Sequence, residues 1–201
     1  MPAVPPATAA GSGHSVLQVP VPELEPFVLD RTLHYDTDYV SADPDFVHAH
    51  VTALAPFLDE PHLTPSALEL VAEIAGATAA FDFTLHRVDT FPNGIVHLLP
   101  EPAMPFATLT ATLWQAFPQC PPYAGRYGDV VPHLTLDALS ADVTEASTRE
   151  LVGEHLPARC RADRLDLAWY EPGACRILHS WTLGAGARGV SSSSSPGRTA
   201  G

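Results

Sequence analysis

One short phrase is written twice in this chain: His50-Val51-Thr52 and, 83 residues later, His133-Leu134-Thr135. Its surroundings recur with it. Helical patterns at 22–35 and 64–79 flank a strand at 47–55, and strands at 81–91 and 95–100 follow as a hairpin through the turn Pro92-Asn93-Gly94. Helical patterns at 105–117 and 140–156 then flank a strand at 132–139, and a second hairpin (164–171 and 175–183) turns at Pro172-Gly173. One further strand, 15–21, opens the series. An order repeated over this length restricts the fold to a duplicated α+β unit. Short strands joined as hairpins predict two mainly antiparallel sheets, each flanked by helices, and a bilobal domain with a central groove if the two units pack around a pseudo-twofold axis. Thr64 before Pro65 marks one helix start, and Ser140 is read as the cap of another. Trp114, Trp169 and Trp181 follow amphipathic spacing and are expected in the core.

Composition sets the outer limits. The 201 residues, 46% hydrophobic, can bury a sizeable core in one domain spanning about 15–183. Residues 1–14 and 184–201 are small, polar or proline-rich and are expected to be disordered. No run of eighteen apolar residues suggests a membrane span, and the N-terminus does not read as a signal peptide. Cys120, Cys160 and Cys175 are odd in number and scattered, so no disulfide framework is expected and a reducing cytoplasm is the simplest home. A monomer is expected. The net charge of −13 argues against a surface that grips long nucleic acid, but allows a small anionic ligand in one pocket. All ten basic residues are arginine. The lack of lysine removes a Walker-A loop, Schiff-base chemistry and any lysyl-nucleotide adduct.

Strand alternation puts His50 and Thr52 on one face, and His133 and Thr135 likewise. Two imidazoles and two hydroxyls suit displacement at phosphorus. One histidine takes a proton from the attacking oxygen, the other protonates the departing one, and the hydroxyls hold the non-bridging oxygens. This chemistry requires no metal or other cofactor. Tyr123, Arg126 and Tyr127 occupy a Pro/Gly-rich loop entering the second phrase. They are candidates to stack on a base or touch a phosphate; Phe57, just after the first phrase, is another stacking candidate. Two alternatives stay open. One is a nucleotide-binding module without turnover. The other is a metalloenzyme in which His48, His50 and His133, with Asp43 and Asp45 nearby, ligate an ion. His97 could face either side of its strand. His62, His86, His155 and His179 are assigned to structure or surface.

The phrases "HAHVTALAPF" and "VPHLTLDAL", with this spacing, resemble the 2H phosphoesterase superfamily. The likeness is greatest to the proteins called the 2′-5′ RNA ligase family or RNA 2′,3′-cyclic phosphodiesterases. The stretch from Phe83 to Gly125 also resembles actinobacterial members. The resemblance covers about 15–183. It implies a metal-independent phosphoesterase with His50 and His133 as the acid–base pair and Thr52 and Thr135 beside them. The implied substrate is a small nucleotide or RNA end, with a cyclic phosphate or a 2′-5′ linkage as the reacting group. The family's way of joining ends reuses a cyclic phosphate, which fits a chain without lysine. No arginine sits beside either phrase, so the cation that helps hold the phosphate is left open.

Overall fold

The computed structural model describes residues 13–126 and 130–186. It is an α+β fold with four α-helices on one curled, wholly antiparallel sheet of eight strands. The strands are β1 (His14–Pro20), β2 (His50–Leu54), β3 (Phe81–Thr90), β4 (Ile95–Glu101), β5 (Leu134–Ala138), β6 (Ala158–Ala162), β7 (Arg164–Tyr170) and β8 (Arg176–Thr182). The helices are α1 (Glu25–Tyr35), α2 (Pro65–Ala77), α3 (Met104–Ala116) and α4 (Glu145–Val152). Both hairpins form where the turn signals place them, with Gly94 and Gly173 at positive φ. None of these helices is long and apolar enough to cross a membrane.

The expectation of two sheets is corrected. Spatial order is β6-β3-β4-β5-β2-β1-β7-β8, so the two His-x-Thr strands lie side by side at the middle of one sheet. The joint between them is narrow: the one register pair is Val51 with Leu134. The duplication is visible as an exchange. β1-α1-β2-α2-β3 corresponds to β4-α3-β5-α4-β7, yet β3 pairs with β4 and β7 pairs with β1. Each half-sheet therefore takes its third strand from the other repeat.

Strand alternation then sorts the residues into layers. Register carries one row across the sheet through Val88, Leu98, Leu134, Val51 and Val19, and all five are buried. This row faces the helices, where α3 packs on β2, α2 on β8 and α4 on β3. The rows on either side of it point to the opposite face and carry the polar residues described below. α2 is capped by Thr64, whose hydroxyl accepts from the Ala67 N–H, with Pro65 in the first turn.

Three local readings change. The helix read over 140–156 begins only at Glu145. Thr144 and Ser147 form its capping box, while Ser140 instead accepts from the Val143 N–H in a turn. β6 is an additional strand, with Ala158, Cys160 and Ala162 buried between exposed arginines. Trp114 is exposed on α3, whereas Trp169 is buried. The folded chain also reaches slightly beyond 15–183: β1 begins at His14, and the Gly184 N–H is bonded to the Ala75 carbonyl. Residues 1–12 and 187–201 lie outside the described residues.

Candidate active site

The pairing of Val51 with Leu134 on antiparallel strands sets the site. It puts His50 opposite Thr135 and Thr52 opposite His133, all on the face away from the helices. Thus the two phrases interleave on adjacent strands; they do not face each other from two sheets. Each histidine has the other repeat's threonine as its cross-strand neighbour.

The two rings are held by one device. His50 Nδ1 lies 2.7 Å from the carbonyl of His48, and His133 Nδ1 lies 2.8 Å from the carbonyl of Val131. A carbonyl oxygen only accepts, so Nδ1–H must donate. In the neutral ring Nε2 then carries the lone pair. Both histidines are therefore fixed in the same tautomer, with the same nitrogen free to exchange a proton.

Continuing the register outward extends each row. Thr135 pairs with His97 on β4, and His97 with Asp89 on β3. In the other half Thr52 pairs with Gln18 on β1, and Gln18 with Asp166 on β7. His97 and Gln18 are thus equivalent positions filled by different chemistry. Gln18 Oε1 accepts from the Tyr170 hydroxyl at 2.8 Å, and that hydroxyl is 3.4 Å from His50 Nδ1. His97 stacks on Phe91 with centroids 3.7 Å apart and meets the edge of His133 at 5.4 Å. Sequence reading leaves His97 undecided and passes over Gln18 and Tyr170. β4 carries apolar residues on both faces (Ile95, Val96, Leu98 and Leu99), so the strand's own pattern does not disclose where His97 points; register puts it beside Thr135.

Burial lowers the pKa of His50, to about 4, and the nearby His133 pushes it further down against the opposing pull of the His48 carbonyl. Burial also lowers His133, with His97 acting in the same direction. Both rings therefore resist protonation in the folded protein. The unfolded chain binds protons below about pH 6.5 that the native state refuses. Stability from His50 is full above pH 6.5 and declines as pH falls toward 4. The melting temperature should drop between pH 7 and pH 5, and His50→Gln should flatten that slope, as thermal melts across the range would record.

The remaining candidates separate clearly. His48 does not present its ring to a metal. Its Nδ1–H donates to Glu25 Oε1 at 2.7 Å, and its Nε2 accepts from the Ser41 N–H at 3.1 Å. Glu25 Oε2 also accepts from the Ala49 N–H, so this carboxylate anchors the backbone that carries the His48 carbonyl. Asp43 accepts from the Ile177 N–H and likewise serves the loop. Among the described residues no group of three or more His, Cys, Asp and Glu is arranged to hold a metal ion. Phe57, offered as a stacking face, is instead 6% exposed and packs edge-on to Phe117, 4.9 Å away, in the core. The reason is local: the Phe57 N–H bonds to the Ser15 carbonyl, which turns the residue in under β1.

Tyr123 does reach the site, its ring 6.1 Å from His133 and tilted by 22°. Tyr123, Ala124 and Gly125 are all left-handed, with φ of 51°, 55° and 72°. For the two non-glycine residues this conformation costs roughly 1–2 kcal/mol each. The Tyr123 N–H holds the loop to the Ala55 carbonyl at 2.7 Å, just past β2. Strain of this kind is retained where the surroundings over-determine the backbone, often beside functional groups. Arg126 is exposed on the same loop. Tyr127 lies outside the described residues.

Comparison with known proteins agrees with this architecture. Structures with the same fold include LigT of E. coli bound to 3′-AMP, with 18% identity and a TM-score of 0.50, covering 86% of this chain and 99% of LigT. Another is TT0787 of Thermus thermophilus, with 18% identity and a TM-score of 0.57, covering 85% of this chain and 98% of that one. Comparison with curated proteins finds no significant match. The family described as the 2′-5′ RNA ligase superfamily matches residues 20–174. The match takes in both His-x-Thr phrases and all of β2 to β7, and the chain belongs to the 2′-5′ RNA ligase superfamily.

Proposed function

We propose that the protein is a metal-independent phosphoesterase that opens a 2′,3′-cyclic phosphate, or a related 2′-5′ linkage, at a nucleotide or RNA end. The observation that carries this reading is the matched anchoring of His50 and His133, each by Nδ1–H to a carbonyl two residues upstream. Two rings in the same tautomer on adjacent strands can serve as acid and base for one phosphorus. The depressed pKa values suit a resting site in which both rings are neutral. An anionic phosphate bound between them favours a proton on one ring, and the site then holds one acid and one base. Attack by water, deprotonated by the neutral ring, is followed by departure of a ribose oxygen protonated by the other. Thr52 and Thr135, each across from the opposite histidine, donate to the non-bridging oxygens as charge builds there. Tyr123 offers a face for the base. Binding of 3′-AMP by LigT is in keeping with a nucleotide ligand.

The direct test is turnover of a panel of 2′,3′-cyclic mononucleotides with chelator present. Chelator-resistant cleavage is expected, and the position of the product phosphate identifies which ribose oxygen leaves. Binding without cleavage of any cyclic or 2′-5′ ester would move the assignment to a nucleotide-binding module, and inhibition by chelator would defeat the metal-free mechanism. Thr52→Val and Thr135→Val keep side-chain shape and remove the hydroxyl. Each should lower kcat by about 100- to 1,000-fold, the usual effect of losing one donor to developing charge. Steady-state kinetics with unchanged melting temperature would show it; a change confined to KM would place the hydroxyls in ground-state binding instead.

A further inference from the structure

A second phrase is also duplicated, and register shows where it lies. Arg87-Val88-Asp89 lies on β3 and Arg164-Leu165-Asp166 on β7, the two exchanged strands. Asp89 ends the row through His97 and Thr135, and Asp166 follows Thr52 and Gln18 in the other. Strand alternation places Arg87 and Arg164 on the same face as these aspartates, which is the face of the catalytic candidates. Each half-site therefore has an arginine on its flank, although none adjoins a histidine in sequence.

The two copies differ in environment. Arg87 and Asp89 are 3.7 Å apart, with side chains 64% and 52% exposed, so solvent screens the pair. Arg164 is 2.9 Å from Asp166, whose side chain is fully buried and also accepts from the Ser180 hydroxyl at 2.6 Å. Arg164 Nε and Asp166 Oδ2 are both buried with no hydrogen-bond partner among the described residues, so the 2.9 Å contact between the two side chains is an ion pair outside hydrogen-bond geometry. An unpaired buried donor of this kind costs about 1–3 kcal/mol and calls for an explanation. The Arg164 side chain is 35% exposed, and strand alternation puts it on the site face. Continuing the β1–β7 register puts Arg164 next to Pro20, and Pro20 pairs with His50. Arg164 is then two strands from His50, roughly 10 Å between backbones. Pro20 offers no side-chain polar group in between. An arginine side chain and the width of a ribose together bridge such a gap.

We infer that Arg164 holds a second phosphate of the substrate, carried on the 5′ side of the ribose whose cyclic phosphate lies over His50 and His133. This rests on the phosphoesterase reading for the placement of the ribose. Asp166 offsets the charge of Arg164, and Asp45 adds negative potential nearby. Recognition is therefore by an oriented fork of donors, held in place by Asp166, and less by net charge. Arg87, loosely paired and solvated, has no comparable role.

Calorimetry decides this without turnover, using adenosine 2′-monophosphate and adenosine 2′,5′-bisphosphate as probes. Wild type should bind the bisphosphate about 10- to 100-fold more tightly, as one charged hydrogen-bonded contact supplies. Arg164→Gln should bring the two probes to within about twofold. R164Q leaves Asp166 buried and unpaired, so the double variant R164Q/D166N guards against misfolding and should give the same parity. R87Q should keep the preference. No preference in wild type, or a preference that survives in folded R164Q or R164Q/D166N, overturns the assignment. Cleavage is read separately, comparing a 2′,3′-cyclic mononucleotide, its 5′-phosphorylated form and a dinucleotide with a cyclic end. A preference lost in R164Q supports Arg164 in either case, and its form tells a terminal 5′-phosphate from an internucleotide linkage. If none of the three is cleaved, the phosphoesterase reading fails while the binding ratio still judges Arg164.

Discussion

His50→Ala and His133→Ala should each reduce turnover of a 2′,3′-cyclic mononucleotide by about 100- to 10,000-fold, the range for loss of a positioned general acid or base. The double variant should fall little further than the worse single variant, because the two rings act on one transition state and their losses are not additive. Substrates with different leaving groups separate the roles. The variant lacking the acid recovers activity on an ester with a good leaving group, since its departing oxygen no longer needs a proton; the variant lacking the base does not recover. Neither substitution should unfold the protein, because both rings sit at the start of their strands and bond to a local carbonyl. Unchanged turnover in either variant, with the fold intact, would remove that histidine from the mechanism.

The second large effect is on stability. The two halves of the sheet meet at one register pair, and a buried ion pair reinforces that joint from the side. Arg31, on α1 of the first repeat, donates to Asp137 Oδ1 on β5 of the second through Nε at 3.1 Å and NH2 at 2.9 Å. Thr148 on α4 donates to the other carboxylate oxygen at 2.9 Å. The side chains are 14% and 1% exposed. Arg31→Ala leaves the Asp137 carboxylate buried without its cation, a change worth about 3–5 kcal/mol. For a chain of this size that is a fall of about 6–20 °C in melting temperature. R31M/D137L, which removes both charges, should recover most of the loss, because the penalty arises from the orphaned charge. Arg161→Ala, which breaks a pair whose side chains are 55% and 78% exposed, should leave the melting temperature within a degree or two. Equal losses from Arg31→Ala and Arg161→Ala would deny the clasp any special role.

Much of this is legible in local sequence. Thr64-Pro65 announces a helix, Pro92-Asn93-Gly94 a hairpin, and the two His-x-Thr phrases their strands. Features that depend on distant partners are not. Nothing near Val51 or Leu134 states that these strands pair, so local patterns suggest two sheets where there is one. β6 escapes because its buried positions are Ala158, Cys160 and Ala162, small residues with a weak strand signal. Gln18 and Tyr170 join the site through cross-strand register over more than a hundred residues. No arginine adjoins either phrase along the chain, while the register, continued, brings Arg164 to within two strands of His50.

The exchange of third strands also governs when the molecule can fold. β1 is complete within the first twenty residues, yet its outer partner β7 is residues 164–170. A ribosome that has released β1 and β2 still holds a half-sheet with an unpaired edge until nearly the whole domain has emerged. In the second half-sheet β3, β4 and β5 pair with one another as they arrive, and only the outer strand β6 comes late. Assembly during synthesis is therefore lopsided: the half built around His133 can close first, and the half that begins the chain is the last to be sealed.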